Sequence, residues 1–302
     1  MNTSHKKEKQ LLQLSIYGAL LLAVIAIIWG FLISSQMVVF DGLYSLISVK
    51  LSFLSLLSAN FIRKRDSKRF PFGKQMVEPI VLLVKYTAIL LLCITAIISS
   101  GMTLFSGGAE VNFGYAMLYA LLSTVLCFGV YMHLKKESSQ LGFVQAEANQ
   151  WKMDMYLSAA VLLGFIVALL VSSTSYAHFT PYIDPLMVII VAGAFLKVPI
   201  TEMVKACREI LEMAPEESIQ ANYEQLFNTI KQEEKIEKMY VRLAKVGGTL
   251  FVEVDFILNE HSLIQTVDQQ DDIREKIKRA TDHLPYQKWL TISFTKDEKW
   301  AV

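Results

Sequence analysis

The stretch QMVVFDGLYSLISVKLSFLSLLSANFI, residues 36–62, is long and apolar enough to cross a bilayer, yet it carries Asp41 near its start. A second stretch, WKMDMYLSAAVLLGFIVALLV, residues 151–171, repeats the feature with Asp154. A carboxylate at membrane depth is costly, so it faces a bundle interior and marks an ion or proton pathway. Each aspartate has a polar partner four residues away, Ser45 after Asp41 and Gln150 before Asp154. That spacing sets both members of a pair on one helix face. Two helices with two inward oxygen donors each would build a cation site from Asp41, Ser45, Gln150 and Asp154, with the two aspartates as the metal carboxylates. The plainer alternative is a pair of isolated polar residues, solvated in a crevice or neutralised by a lysine.

The rest of the chain fits a membrane protein. It has 302 residues, 53% of them hydrophobic, and the apolar residues are clustered. Runs near 11–33, 36–62, 77–101, 113–133, 148–173 and 183–204 are each long enough to span a bilayer. The N-terminal MNTSHKKEKQ leads into the first run without a small-residue cleavage pattern, so that run is expected to stay as a helix. Cys93, Cys127 and Cys207 are scattered without CxxC spacing. The first two read as buried packing residues and the third as a reduced thiol.

Charge sets the expected orientation. Lys6, Lys7 and Lys9, the loop RKRDSKRFPFGK (residues 63–74), Lys135, Lys136, Lys197 and Lys205 fall on one side of the predicted spans. The alternate loops, near 34–36, 101–113 and 172–184, carry no Lys or Arg. This positive-inside pattern places both termini in the cytoplasm.

After about Lys205 the composition turns charged and alternating. Ile219, Tyr223, Leu226 and Ile230 follow helical spacing, and Leu250, Val252, Val254, Phe256 and Leu258 alternate as in a strand. Gly247–Gly248 separates that strand from Ile236–Lys245 as a hairpin turn. A second helix with Ile264, Val267, Ile273 and Ile277 and a last strand near 289–294 complete the pattern. The predicted architecture is a membrane all-α six-helix bundle over residues 1–208, followed by a cytoplasmic α+β domain over 209–302 with ferredoxin-like αββαβ order.

Six spans, paired donors split between spans 2 and 5, and a small α+β tail together resemble the cation diffusion facilitator family, over nearly the whole chain. FPFGKQMVE, residues 70–78, is similar to the family's HPYGHGRAE-type approach to span 3. AEANQWKMD, residues 146–154, resembles the span-5 motif in which His and Asp stand four apart, and DGLYS, residues 41–45, resembles the span-2 DxxxD. The resemblance implies an integral protein of a bacterial inner or plasma membrane. It implies a homodimer whose spans export a divalent cation in exchange for protons by alternating access, and whose cytoplasmic tails pair and often bind regulatory metal.

The chain departs from the family pattern in its ligands. Ser45 stands where the second aspartate of DxxxD would be, and Gln150 where the histidine of HxxxD would be. The ligand charge falls from about −3 to about −2, lowering divalent affinity on Coulomb grounds. Oxygen donors alone suit Mn²⁺, Fe²⁺ or Mg²⁺ better than Zn²⁺. Lys85 lies two turns beyond Glu78, on roughly the same face, so both are candidate accessory residues. Lys85 could pair with Asp41 or Asp154 or snorkel to the membrane edge. Lys50 is half a turn out of phase with Asp41, and Lys152 lies near the end of its span. Phe70 and Lys74 stand where the resembled loop has histidines. In the tail, Asp255 is the one plausible strand ligand, Met239, Ser293 and Thr295 fall where metal-loaded relatives have ligands, and His261 and His283 read as surface residues.

No Gly-rich phosphate loop, HExxH, GxSxG or CxxC motif is present, so neither an enzyme nor a tightly bound cofactor is expected. The basic loop is explained by topology and needs no nucleic-acid partner. The expected partners are a divalent cation, protons, lipid and a second copy of the chain. The rival reading is a transport-inactive member of the same fold acting as a membrane scaffold or regulator.

Overall fold

The computed structural model describes residues 2–64, 66–137, 142–282 and 286–301. Its elements run α1 (Asn2–Leu32), α2 (Gln36–Arg63), α3 (Val77–Phe105), α4 (Phe113–Glu137), α5 (Gly142–Ser172), α6 (Thr180–Phe195), α7 (Lys197–Ile210), α8 (Glu217–Glu233), β1 (Lys238–Val246), β2 (Thr249–Ile257), α9 (Val267–Thr281) and β3 (Gln287–Thr295). Two compact units result, one of Met1–Leu54 with Lys85–Thr201, the other of Ser55–Val84 with Glu202–Val302.

Among the described residues, five stretches are long and apolar enough to cross a bilayer: Ser15–Leu32, Val77–Phe105, Phe113–Lys136, Gln150–Ser172 and Ala177–Ile210. Their outward faces carry large apolar side chains such as Leu32, Leu91, Leu163 and Ile190, as a lipid-facing surface requires. Helix α2 is of similar length, 28 residues, and carries Asp41 in its first two turns. The last stretch, expected as one helix, breaks at Leu196. Pro199 has no N–H to give the Phe195 carbonyl, which ends α6 and restarts the chain as α7.

The first unit is held by small residues that let helices approach. Ala26, Ala116, Ala120, Ala168 and Ala192 are buried in one apolar cluster with Met37, Phe40 and Phe165. Gly42 sits against α1 so closely that an added Cβ would lie 2.8 Å from Ala26 Cβ and from the Ile27 backbone nitrogen. The start of α2 is fixed from α6. Asp184, fully buried, accepts hydrogen bonds from Ser35 Oγ at 2.6 Å and from the Gln36 backbone N–H at 2.7 Å. A carboxylate there satisfies otherwise orphaned donors and complements the positive helix end. The Gln36 side chain then ties α2 to α3, donating to Thr103 at 2.8 Å and accepting from Ser100 at 3.0 Å.

In the second unit β2 is the central strand. It pairs antiparallel with β1 and parallel with β3, in the order β1-β2-β3. Val246 pairs with Thr249, so Gly247–Gly248 forms a two-residue turn, with Gly247 in the left-handed region at φ +56°. Tyr223, Phe227 and Ile230 of α8 and Ile273 and Ile277 of α9 bury against Leu250, Val252, Val254 and Phe256. Ile264 belongs to this core but not to a helix. Thr266 and Gln269 form a capping box that starts α9 after it. The Glu298 carboxylate is held below its usual range by the Tyr240 hydroxyl and then by the Lys238 ammonium, so this exposed contact is present at neutral pH and is lost as pH falls through that lowered value.

Two substitutions test this packing. Asp184→Ala strands the donors at the start of α2 and is expected to cost about 1–3 kcal/mol, read as a lower thermal midpoint of the purified protein in detergent. Gly42→Val is expected to lower it too, by forcing α1 and α2 apart. Unchanged midpoints would contradict the packing described.

Candidate cation site

The helices of the first unit enclose a cavity of about 80 Å³. Since one water needs on the order of 10–15 Å³, the cavity admits a cation with part of its hydration shell. Asp41, Ser45, Gln150 and Asp154 all line it. The two four-residue pairs thus meet from α2 and α5, as helical spacing requires. Asp41 is 8% exposed and Asp154 half-buried. The Gln150 amide donates to Asp154 Oδ1 at 3.4 Å, a long bond that a better ligand could displace. Trp151, next to Gln150, donates its indole N–H to Ser15 Oγ at 2.7 Å and ties α5 to α1 at the cavity wall.

A third wall comes from α4. Tyr119, Ser123 and Cys127 follow one another at four-residue spacing and all face the cavity. Tyr119 donates to Asp41 Oδ2 at 2.9 Å. Ser123 Oγ and Ser158 Oγ lie 3.0 Å apart and pin α4 to α5. Cys127, one turn onward from Ser123 along α4, and Asp154, one turn back from Ser158 along α5, both line the cavity. Cys127 is 4% exposed. Sequence reading took it for a packing residue and passed over Tyr119. The spacing 119, 123, 127 was the available signal, but an uncharged stripe on an apolar helix does not stand out.

Among the described residues, no three His, Cys, Asp or Glu side chains are gathered closely enough to hold a metal. The donors share a chamber without forming a finished coordination sphere.

The accessory candidates sit elsewhere. Lys85 places its Nζ 5.7 Å from the centre of the Tyr86 ring, and among the described residues it forms no ion pair with Asp41 or Asp154. Glu78 accepts a hydrogen bond from the Gly248 backbone at 3.1 Å, and Glu209 accepts one from Gly247 at 2.9 Å, so two carboxylates hold the hairpin turn. Lys74, 8% exposed, donates to the carbonyls of Phe61 and Lys64 at 3.3 and 2.9 Å and lies over the Phe61 ring at 4.1 Å. The ammonium thus caps the end of α2. Lys50 is exposed and Lys152 half-buried, 5.8 Å from the Tyr156 ring. In the tail, Asp255 is buried and paired with Arg242 at 2.7 Å, so it is engaged by a fixed cation. His261 is exposed, and His283 lies outside the described residues.

Comparison with known proteins agrees with this architecture. The family defined by the cation efflux transmembrane domain matches residues 12–211. A transporter of Bacillus subtilis, YdbO, is 21% identical over 280 residues, covering 92% of this chain and 93% of its own. The zinc transporter ZitB of Yersinia pestis is 26% identical over 269 residues, covering 86% and 82%, and ZitB of Yersinia pseudotuberculosis has the same identity and coverage. With long apolar helices, a cavity holding two aspartates, and the family domain matched across most of its length, the chain belongs to the cation efflux family of membrane metal-cation transporters.

Proposed function

We propose that the protein exports a divalent metal cation from the cytoplasm in exchange for protons, as a homodimer working by alternating access. The observation that carries this reading is the convergence of Asp41, Ser45, Gln150 and Asp154 on one cavity of the membrane unit. Two carboxylates at membrane depth supply the charge a divalent ion needs, and they can accept protons when it leaves. The basic loops support cytoplasmic termini, and in this reading residues 1–208 are the transporting part and 209–302 a pairing and regulatory domain.

The choice of ion turns on the donor set. Asp41, Ser45, Gln150 and Asp154 alone offer oxygen and favour Mn²⁺, Fe²⁺ or Mg²⁺. Cys127 adds a soft sulfur on the same cavity wall, and thiolate is a preferred zinc ligand. Two of the relatives are zinc transporters. We therefore place Zn²⁺ first and the hard cations second. The rival reading, a transport-inactive scaffold, draws support from the absence of a gathered three-ligand cluster among the described residues.

Reconstituted proteoliposomes separate these readings. Flux of at least one of Zn²⁺, Mn²⁺, Fe²⁺ and Mg²⁺ should be seen, accelerated by an opposing proton gradient, and a protonophore should remove that acceleration. Asp41→Asn and Asp154→Asn should each abolish it. Cys127→Ser should lower the Zn²⁺ to Mn²⁺ preference about tenfold, the scale of losing one supporting contact at a metal site. No flux of any cation would favour the scaffold, and full flux in both aspartate variants would remove the cavity from the mechanism.

A further inference from the structure

Asp41 has one hydrogen-bond partner among the described residues, the Tyr119 hydroxyl, which donates to Oδ2 at 2.9 Å. Each residue is 8% exposed. A buried carboxylate left without a donor is costly, so this contact is not easily given up. It also divides the two oxygens of Asp41. Oδ2 is occupied by a phenol that α4 holds in place, and Oδ1 is the oxygen left for a ligand.

That division has a consequence for ion size. Chelation by both oxygens of one carboxylate is a habit of larger cations, with metal–oxygen distances of about 2.3–2.6 Å and six to eight ligands. Mg²⁺ and Zn²⁺ bind at about 2.0–2.2 Å with fewer ligands and are served by single oxygens. At the next turn of α2, Ser45 offers a neutral hydroxyl and no second carboxylate to compensate a larger ion.

Resting on the reading of this cavity as the cation site, we propose that Tyr119 is a specificity-determining residue: by holding Oδ2 it makes Asp41 a one-oxygen ligand and biases transport toward small divalent cations. The phenol does not react. It selects by limiting how Asp41 can coordinate.

The test compares two pairs of ions that differ in size, Ca²⁺ against Mg²⁺, both hard, and Cd²⁺ against Zn²⁺, of which Cd²⁺ is also the softer, so each ratio is read as its change from wild type. Initial rates are measured in proteoliposomes carrying wild type, Tyr119→Phe or Tyr119→Gln, with any ion that is not transported scored as a competitor of one that is. In the Phe variant the KM or inhibition constant for Ca²⁺ and Cd²⁺ should fall about tenfold relative to Mg²⁺ and Zn²⁺, the scale of one hydrogen bond to a charged group. The maximal rate for the small ions should change less. The Gln variant keeps a donor to Asp41 and should stay near the wild-type ratios. If the Phe protein does not fold, Tyr119→Leu takes its place, with calorimetric titration of the four ions in detergent as the readout. Unchanged ratios, or an equal loss for all four ions, would overturn the proposal. Asp41→Asn in the same vesicles keeps the two ideas apart. If it transports normally the site reading itself fails; if it is inactive while the Phe ratios match wild type, only the role of Tyr119 fails.

Discussion

The structure depends on keeping the Asp41 carboxylate inside an apolar bundle. A charge removed from water must be compensated by geometry, because little solvent is present to screen it. Here the compensation is built from several helices. Tyr119 of α4 supplies a donor, Gly42 lets α1 close over α2, and Asp184 of α6 fixes the first turn of α2 five residues upstream. Change any of these and the carboxylate is displaced or left unpaired. The small residues in the core make this possible, since they bring helix axes close enough for polar side chains to meet.

The cavity follows from the same constraint. Stripes of polar residues at four-residue spacing on α2, α4 and α5 avoid lipid by facing one another across a single chamber. The donors are mixed: carboxylate, hydroxyl, amide, phenol and thiol. The long hydrogen bond from Gln150 to Asp154, at 3.4 Å, can be exchanged for a bond to an ion. A chamber of partly satisfied donors suits a transporter, which must bind its cargo and also release it.

Much of this was legible in the sequence because it is periodic. Charges in apolar runs mark Asp41 and Asp154, and spacing alone put Ser45 and Gln150 beside them. Alternation and the Gly247–Gly248 pair gave the hairpin and the three strands to within a few residues. The rest depended on partners distant in the chain. Tyr119 and Cys127 carry no formal charge on an apolar helix, so only the packing of α4 against α2 and α5 reveals them. Asp184 was passed over because it sits at the edge of its run, where an acidic residue draws no notice. Lys74 reads as a missing ligand until the carbonyls at the end of α2 are seen around its ammonium. The break at Leu196 was foreshadowed by Pro199, whose effect on a long apolar run was underweighted.

The central claim is that one cation is held between α2 and α5 by both aspartates. Anomalous scattering from crystals of the wild-type protein grown with Zn²⁺, Mn²⁺ or Cd²⁺ tests it most directly. The account predicts an anomalous peak in the cavity with an oxygen of Asp41 and an oxygen of Asp154 each within about 2.0–2.6 Å. A well-occupied metal elsewhere in the membrane unit, with neither Asp41 nor Asp154 in contact with it, would contradict it.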